Sequence, residues 1–270
     1  MDIRKAQAFV EAQGDGIARA RAQALLEGTA PPSQVVNELE ALVGPRGGWP
    51  AGLEPGAQEA VPETVEMLFA LADLGLSRHS LTRRGLTFLL EQQDPDGGWT
   101  DRVPRGDPLP RWQRQGEEAS RLYLTAWTSS VLVAYGCEEE EPVTRALDML
   151  LKWQLEGGVF AGFPRHTAWY ALPLLARRLG RRSGPALNII RTLSLAMREP
   201  GWFASMFASL LHNLLLAGYR LETPLARLAW EQLLLRQEEN GSWASEEGES
   251  DAVRTTLEVL WCWRQVTLPT

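Results

Sequence analysis

The sequence predicts an all-α chain built from repeated helical hairpins, and three observations carry that prediction. Leu outnumbers Val and Ile together by more than two to one, a bias that favours helices over strands. Apolar residues recur at three- and four-residue spacing in segment after segment, which is the period of one helix face. A glycine–aromatic mark returns five times, at Gly48-Trp49, Gly98-Trp99, Gly158-Val159-Phe160, Gly201-Trp202 and Gly241-Ser242-Trp243.

The marks are 50, 61, 42 and 41 residues apart. The two long intervals carry Pro-rich insertions near 50–62 and 100–116; without them the period returns to roughly 40, the length of a helical-hairpin repeat. Each repeat reads as an amphipathic helix, a Gly–aromatic turn and a second helix that is apolar nearly all round. The expected pairs are 32–43 with 61–75, 79–93 with 118–136, 141–154 with 166–180, 184–198 with 202–218, and 223–238 with 249–266. The segments 2–12 and 15–27 supply an atypical sixth pair within 1–30, as terminal repeats tend to be. A helix apolar on every face must be buried on every face. Hairpins with one such helix suit a closed ring of five or six, read here as a single domain over 1–270.

Composition narrows the function classes. With 44% hydrophobic and 23% charged residues, the chain is neither disordered nor a small disulfide scaffold. No apolar run is long enough to span a membrane, and Met1 to Lys5 lacks a signal-peptide core. A net charge of −7 argues against nucleic acid as a partner. Cys137 and Cys262, 125 positions apart, have no metal-finger spacing and point to a reducing, cytoplasmic setting. The 11 tryptophans are the unusual number.

Three of the five marks share a longer pattern, Gln-x-x-x-Gly-x-aromatic: Gln93 to Trp99, Gln154 to Phe160 and Gln237 to Trp243. This resembles the QW repeat of the squalene cyclase and prenyltransferase superfamily. The helices opening Leu124-Thr125-Ala126-Trp127 and His166-Thr167-Ala168-Trp169 are similar to that family's inner helix. The resemblance covers roughly 35–266 and implies an α/α toroid. The first and fourth repeats depart from it, with Val43 and Ala196 in place of the Gln. Physically the motif is structural: the amide bonds unpaired backbone at a helix end, Gly permits the turn, and the indole packs between helices.

The family's known chemistries do not map onto the chain. The Asp-x-Asp-Asp acid of class II cyclases is missing, since Leu122-Tyr123-Leu124 and Pro164-Arg165-His166 precede the two Thr-Ala pairs. His166 matches the position of one prenyltransferase zinc ligand, but the Asp-x-Cys pair is absent and zinc needs three or four convergent ligands. The Cys-Gly-Glu-Gln sequence of complement thioester domains is also lacking. No metal and no cofactor are expected.

Carboxylates gather near the predicted starts of the second helices: Glu63 and Glu66, Glu117 and Glu118, and Glu246, Glu247, Glu249 and Asp251. They read either as an acidic mouth supplying a general acid or as ordinary complements to helix dipoles. Asp251, Glu118 and His166 are the candidate catalytic residues. The 100–116 insertion, with Arg102, Arg105, Arg111 and Trp112, reads either as a lid gripping an anion such as a diphosphate or as a solvated loop. Trp127, Trp169, Tyr170 and Phe207 are candidates to line an apolar cavity, against the simpler reading as core; His212 reads as a satisfied core histidine. Two functions follow. One is binding, with or without transformation, of a prenyl or similar apolar small molecule in the ring. The other is a non-catalytic scaffold for a protein partner.

Overall fold

The computed structural model describes residues 1–104, 112 and 114–268, and contains twelve α-helices among them. They are α1 (Ile3–Gln13), α2 (Gly16–Glu27), α3 (Ser33–Leu42), α4 (Val61–Asp73), α5 (Ser80–Glu91) and α6 (Glu118–Ala134). Then follow α7 (Glu141–Trp153), α8 (Pro164–Leu179), α9 (Gly184–Ala196), α10 (Ala204–Leu216), α11 (Pro224–Leu235) and α12 (Ala252–Thr267). Every expected helix is present, with ends shifted by a few residues. The sequence gives no sign of the short antiparallel hairpin in the first insertion, β1 (Trp49–Pro50) with β2 (Glu59–Ala60). Strands of two residues carry no periodicity to read.

The alternation of helix types is as the pattern requires. From Leu122 to Val133 every residue of α6 is buried, and so is every residue of α8 from Thr167 to Ala176. The amphipathic α7 buries one stripe, Val143, Ala146, Leu147, Met149 and Leu150.

The helices gather in two compact units, one of residues 37–72 and 76–192, the other of 1–36, 73–75 and 193–270. In the first, α6 packs on α8 and α7. In the second, α10 packs on α11 and α12, and α12 also packs on α1 and α2.

The three Gln motifs share one hydrogen-bond plan. Each amide nitrogen donates twice: to the carbonyl of its own motif glycine, and to a carbonyl at the start of another amphipathic helix. Gln93 reaches Gly97 O at 2.9 Å and Pro142 O at 2.5 Å. Gln154 reaches Gly158 O at 3.2 Å and Pro185 O at 3.3 Å. Gln237 reaches Gly241 O at 3.1 Å and Asp2 O at 2.8 Å, so the last motif ties to the N-cap of α1. Gly97 and Gly241 both have φ of +94°, and a Cβ on either would strike the backbone of Arg145 or Lys5; only glycine fits.

The indoles complete the joint: Trp99 Nε1 donates to Leu89 O at 2.7 Å and Trp243 Nε1 to Leu233 O at 2.8 Å. Trp49, where Val43 replaces the Gln, is fully buried with no partner for Nε1 among the described residues. Threonines within the buried helices take part as well. Thr125 Oγ1 accepts from Trp99 N at 3.0 Å and donates to Arg121 O at 2.7 Å; Thr64 treats Trp49 N and Ala60 O alike.

Candidate functional site

Within the unit of residues 37–72 and 76–192, the turn at Trp99 delivers Thr100 and Asp101 beside the first turn of α6. There they border a pocket of about 230 Å³. Its walls are Thr100, Asp101, Trp112, Arg114, Gln115, Gly116, Glu117, Glu118, Ser120, Arg121 and Leu124. Asp101 and Ser120 are buried, whereas Arg114, Glu117 and Glu118 are exposed.

Trp112 connects this polar mouth to an aromatic cluster. Its ring lies 5.5 Å from Tyr123 and 5.7 Å from Trp127, edge-on to the latter. Tyr123 in turn meets Tyr170 at 5.5 Å and Phe163 at 5.7 Å, and Trp127 meets Tyr170 at 6.0 Å. Spacings and tilts of this kind are those that favour aromatic pairs. The helix geometry explains the grouping: Tyr123 and Trp127 are one turn apart on α6 and share a face, and α8 packs against α6.

The charges around the mouth are strongly paired. Arg121 bonds Asp96 and lies 3.5 Å from Asp94, while Arg102 also bonds Asp94. Asp94 Oδ2 accepts from Thr100 Oγ1 at 2.8 Å. The hydrogen bond from Arg121 holds the Asp96 carboxyl below its ordinary range, and Asp96 in return raises the Arg121 guanidinium. Arg114 pairs with Glu117 across 3.7 Å of exposed surface, a contact worth little by itself.

The sequence candidates are distributed as follows. Glu118 is exposed on the pocket wall. His166, in the first turn of α8, packs 4.4 Å from Trp169 and 6.3 Å from Tyr123. Trp127 and Tyr170 belong to the aromatic cluster; Trp169 is fully buried beside it, 6.2 Å from Tyr170. Arg102 is committed to Asp94. Arg105 and Arg111 lie outside the described residues.

Two candidates belong to the other unit. Phe207 is buried there, stacked on Trp202 at 5.2 Å with the Arg236 guanidinium 5.0 Å over its ring. Asp251 stands immediately before α12, where Arg254 donates to its two oxygens at 2.5 and 2.9 Å and Ser245 Oγ donates at 2.6 Å. These contacts tie the loop to the helix. The pocket residues Asp101, Ser120 and Arg121 escaped the sequence reading. Their only signal is adjacency to the Gly98-Trp99 turn and to Glu118.

That second unit also holds a partly buried polar network. Glu258 accepts from Ser209 Oγ at 2.9 Å and lies 3.2 Å from His212 Nδ1. His212 stacks on Trp261 at 4.0 Å, the satisfied histidine that the sequence implies. Nearby Arg21 grips Asp73 Oδ2 at 2.7 and 3.0 Å. Burial pushes the Asp73 carboxyl up despite the Arg21 guanidinium, and burial beside Glu258 raises the Cys262 thiol well above its usual range. Among the described residues no group of three His, Cys, Asp or Glu is placed to hold a metal, and no helix is long and apolar enough to cross a membrane.

No protein-family model matches the chain. Over 93 residues it is 32% identical to lanosterol synthase from Candida albicans, a stretch that is 34% of this chain and only 12% of that enzyme. Solved structures match far more of it. The apo type II terpene cyclase MstE from Scytonema aligns over 97% of this chain and 96% of its own, at TM-score 0.60 and 18% identity. A protein from Actinoplanes aligns over 97% of both chains at TM-score 0.64 and 17% identity. Other MstE structures contain geranylgeranyl dihydroxybenzoate as substrate, at TM-score 0.58, or merosterolic acid A as product, at 0.60, each with 18% identity and covering 97% of this chain and 95% of that one. The chain therefore has the all-α toroid class of fold found in type II terpene cyclases, as the Gln–aromatic pattern implied.

Proposed function

We propose that this protein binds an isoprenoid or similar apolar small molecule at the mouth of α6. The reading rests on one observation: Trp112 is at once a wall of the 230 Å³ pocket and a member of the aromatic cluster with Tyr123 and Trp127. A pocket with an aromatic side and a few placed polar groups is the usual form of a small-molecule site. At this volume it takes the end of a longer chain, below the range typical of drug-sized ligands. The prenyl substrate and product held by proteins of this fold support the same ligand class. If the ligand is also transformed, Asp101 is the buried carboxylate at the pocket and the first acid to substitute, ahead of Glu118 and His166.

The test is titration with farnesol, followed by tryptophan fluorescence and calorimetry. Saturable binding that weakens about tenfold in Trp112→Ala is the expected result. No binding by prenyl alcohols would overturn the reading. A second reading, a scaffold for a protein partner, draws on the near-complete burial of Trp127, Trp169 and Phe207, which makes those rings core. It predicts a protein whose stability and fluorescence are indifferent to every prenyl compound.

A further inference from the structure

The unit of residues 1–36, 73–75 and 193–270 carries an open groove of about 1150 Å³, walled by α1, by the turn after α11 and by the loop that leads into α12. This is above the roughly 1,000 Å³ upper end of ordinary small-molecule sites, so it has room for a longer occupant. Its floor is apolar: Ala8, Phe9 and Ala12 from α1, with Ala244, Ala252 and Val253 from the loop and α12. Ala8 and Ala12 are one helical turn apart and share a face, and Phe9 beside them is half-exposed.

The walls are held by their own hydrogen bonds. In the turn after α11, Glu238 N donates to Ser242 O at 2.9 Å and Gly241 N to Glu238 O at 3.0 Å. Ser242 N and Oγ both donate to Asn240 Oδ1, at 3.0 and 2.8 Å. Gln237 ties the same turn to Asp2 at the start of α1. In the loop before α12, Ser245 Oγ donates to Asp251 and accepts from Glu247 N at 3.1 Å. A groove formed in advance spares the cost of ordering it on binding.

The rim decides the occupant. Glu238, Glu239 and Glu249 line the groove with exposed side chains, and no Lys, Arg or His stands among the lining residues. None of the three acids has an ion-pair partner among the described residues. Lys5 Nζ donates to the Glu239 carbonyl at 3.4 Å rather than to its carboxylate, and Arg254 is taken by Asp251. Of the residues outside the description, 105–111 and 113 fall by sequence within the other unit, and Pro269 and Thr270 have no cationic side chain. Carboxylates along an apolar trough repel an anion and attract a cation. Lys and Arg suit such a rim, since their stems lie on apolar surface while their heads reach the acids.

We propose that this groove docks a basic peptide segment of a partner protein. Apolar side chains of the segment sit on Phe9 and the alanines, and its Lys or Arg side chains meet Glu238, Glu239 and Glu249. The proposal stands apart from prenyl binding at α6 and does not depend on it.

The experiment is fluorescence anisotropy on the intact protein with three labelled nonapeptides, alternating Arg and Leu, Arg and Ser, or Glu and Leu. Expected is saturable one-to-one binding of the Arg–Leu peptide, at least about tenfold tighter than either of the others. It should weaken at least about tenfold in Glu238→Gln/Glu239→Gln/Glu249→Gln and in Ala8→Arg/Ala12→Arg. All five substituted side chains are exposed, so folding is not at stake. Binding should be unchanged in Glu139→Gln/Glu140→Gln, a pair of exposed acids in the other unit. Equal losses in that control would reduce the effect to general charge attraction and overturn the proposal. Equal binding of the Arg–Ser peptide would overturn the apolar floor, and equal binding of the Glu–Leu peptide the acidic rim. No binding of the Arg–Leu peptide would overturn the whole. So would light scattering that shows the protein pairing with itself until Ala8→Arg/Ala12→Arg abolishes it, since the occupant would then be a second copy.

Discussion

The two units use the same kind of hairpin and handle buried polarity in opposite ways. In the unit of α6 and α8, polar groups stand at a pocket rim, and aromatic rings from Trp112, Tyr123, Trp127 and Tyr170 back them. In the unit of α10 and α12, Ser209, His212 and Glu258 stand in mid-helix and are satisfied by one another, as Arg21 and Asp73 are. The difference teaches where to look for a ligand. A buried group whose hydrogen bonds are spent inside the protein fixes packing, while polarity exposed at a cavity is available to something else.

The sharpest way to break this comparison is the Arg21–Asp73 pair. Arg21→Met leaves a buried carboxylate unpaired and should cost about 3–5 kcal/mol in urea unfolding. Arg21→Met with Asp73→Leu should recover most of it. A single variant that loses under about 1 kcal/mol would show that the network is ornamental.

Smaller effects are expected at the motif joints, where both units should respond alike. Gln237→Ala removes the donations to Asp2 O at α1's N-cap and to Gly241 O, and Gln93→Ala those to Pro142 O and Gly97 O. Each should cost about 1–2 kcal/mol by thermal or urea unfolding. A loss confined to one of them would mean that the shared plan is not a shared energetic device.

Smallest, and opposite in sign, are the pH responses of two carboxylates. Asp73 has its folded-state pKa raised, chiefly by burial. The folded protein therefore holds that proton more tightly, and its stabilising contribution is lost as pH rises through the raised value. Asp96 has its value lowered by the Arg121 hydrogen bond. Its contribution is present above the ordinary aspartate range and fades as pH falls through the lowered value. Stability followed upward in pH from the ordinary aspartate range should flatten in Asp73→Asn. In Asp96→Asn the loss should be seen above the ordinary aspartate range and should vanish on the acid limb.

Much of this was legible beforehand for a simple reason. Apolar residues spaced for one helix face, glycines at the turns and glutamines four residues before them are local signals, and local signals repeat. The Gln motif even disclosed its own role, because an amide beside a helix end has carbonyls within reach. The site was less legible. Phe207 and Tyr170 look alike in the sequence as aromatics on wholly apolar helices, yet one stacks on Trp202 and the other joins the cluster at Tyr123. Asp251 and Glu118 both open long helices, yet one is tied down by Arg254 and Ser245 while the other stays exposed at a pocket.

What the sequence by itself determined is the fold: five or six helical hairpins, their alternation of half-buried and wholly buried faces, and the joints that link them. Periodicity and turn chemistry act within a few residues, so the chain states them openly. Only the tertiary structure decided which charges are spent and which face a pocket. The partners that settle it, such as Asp96 with Arg121 or Ser209 with Glu258, are 25 and 49 residues apart, and packing brings them together.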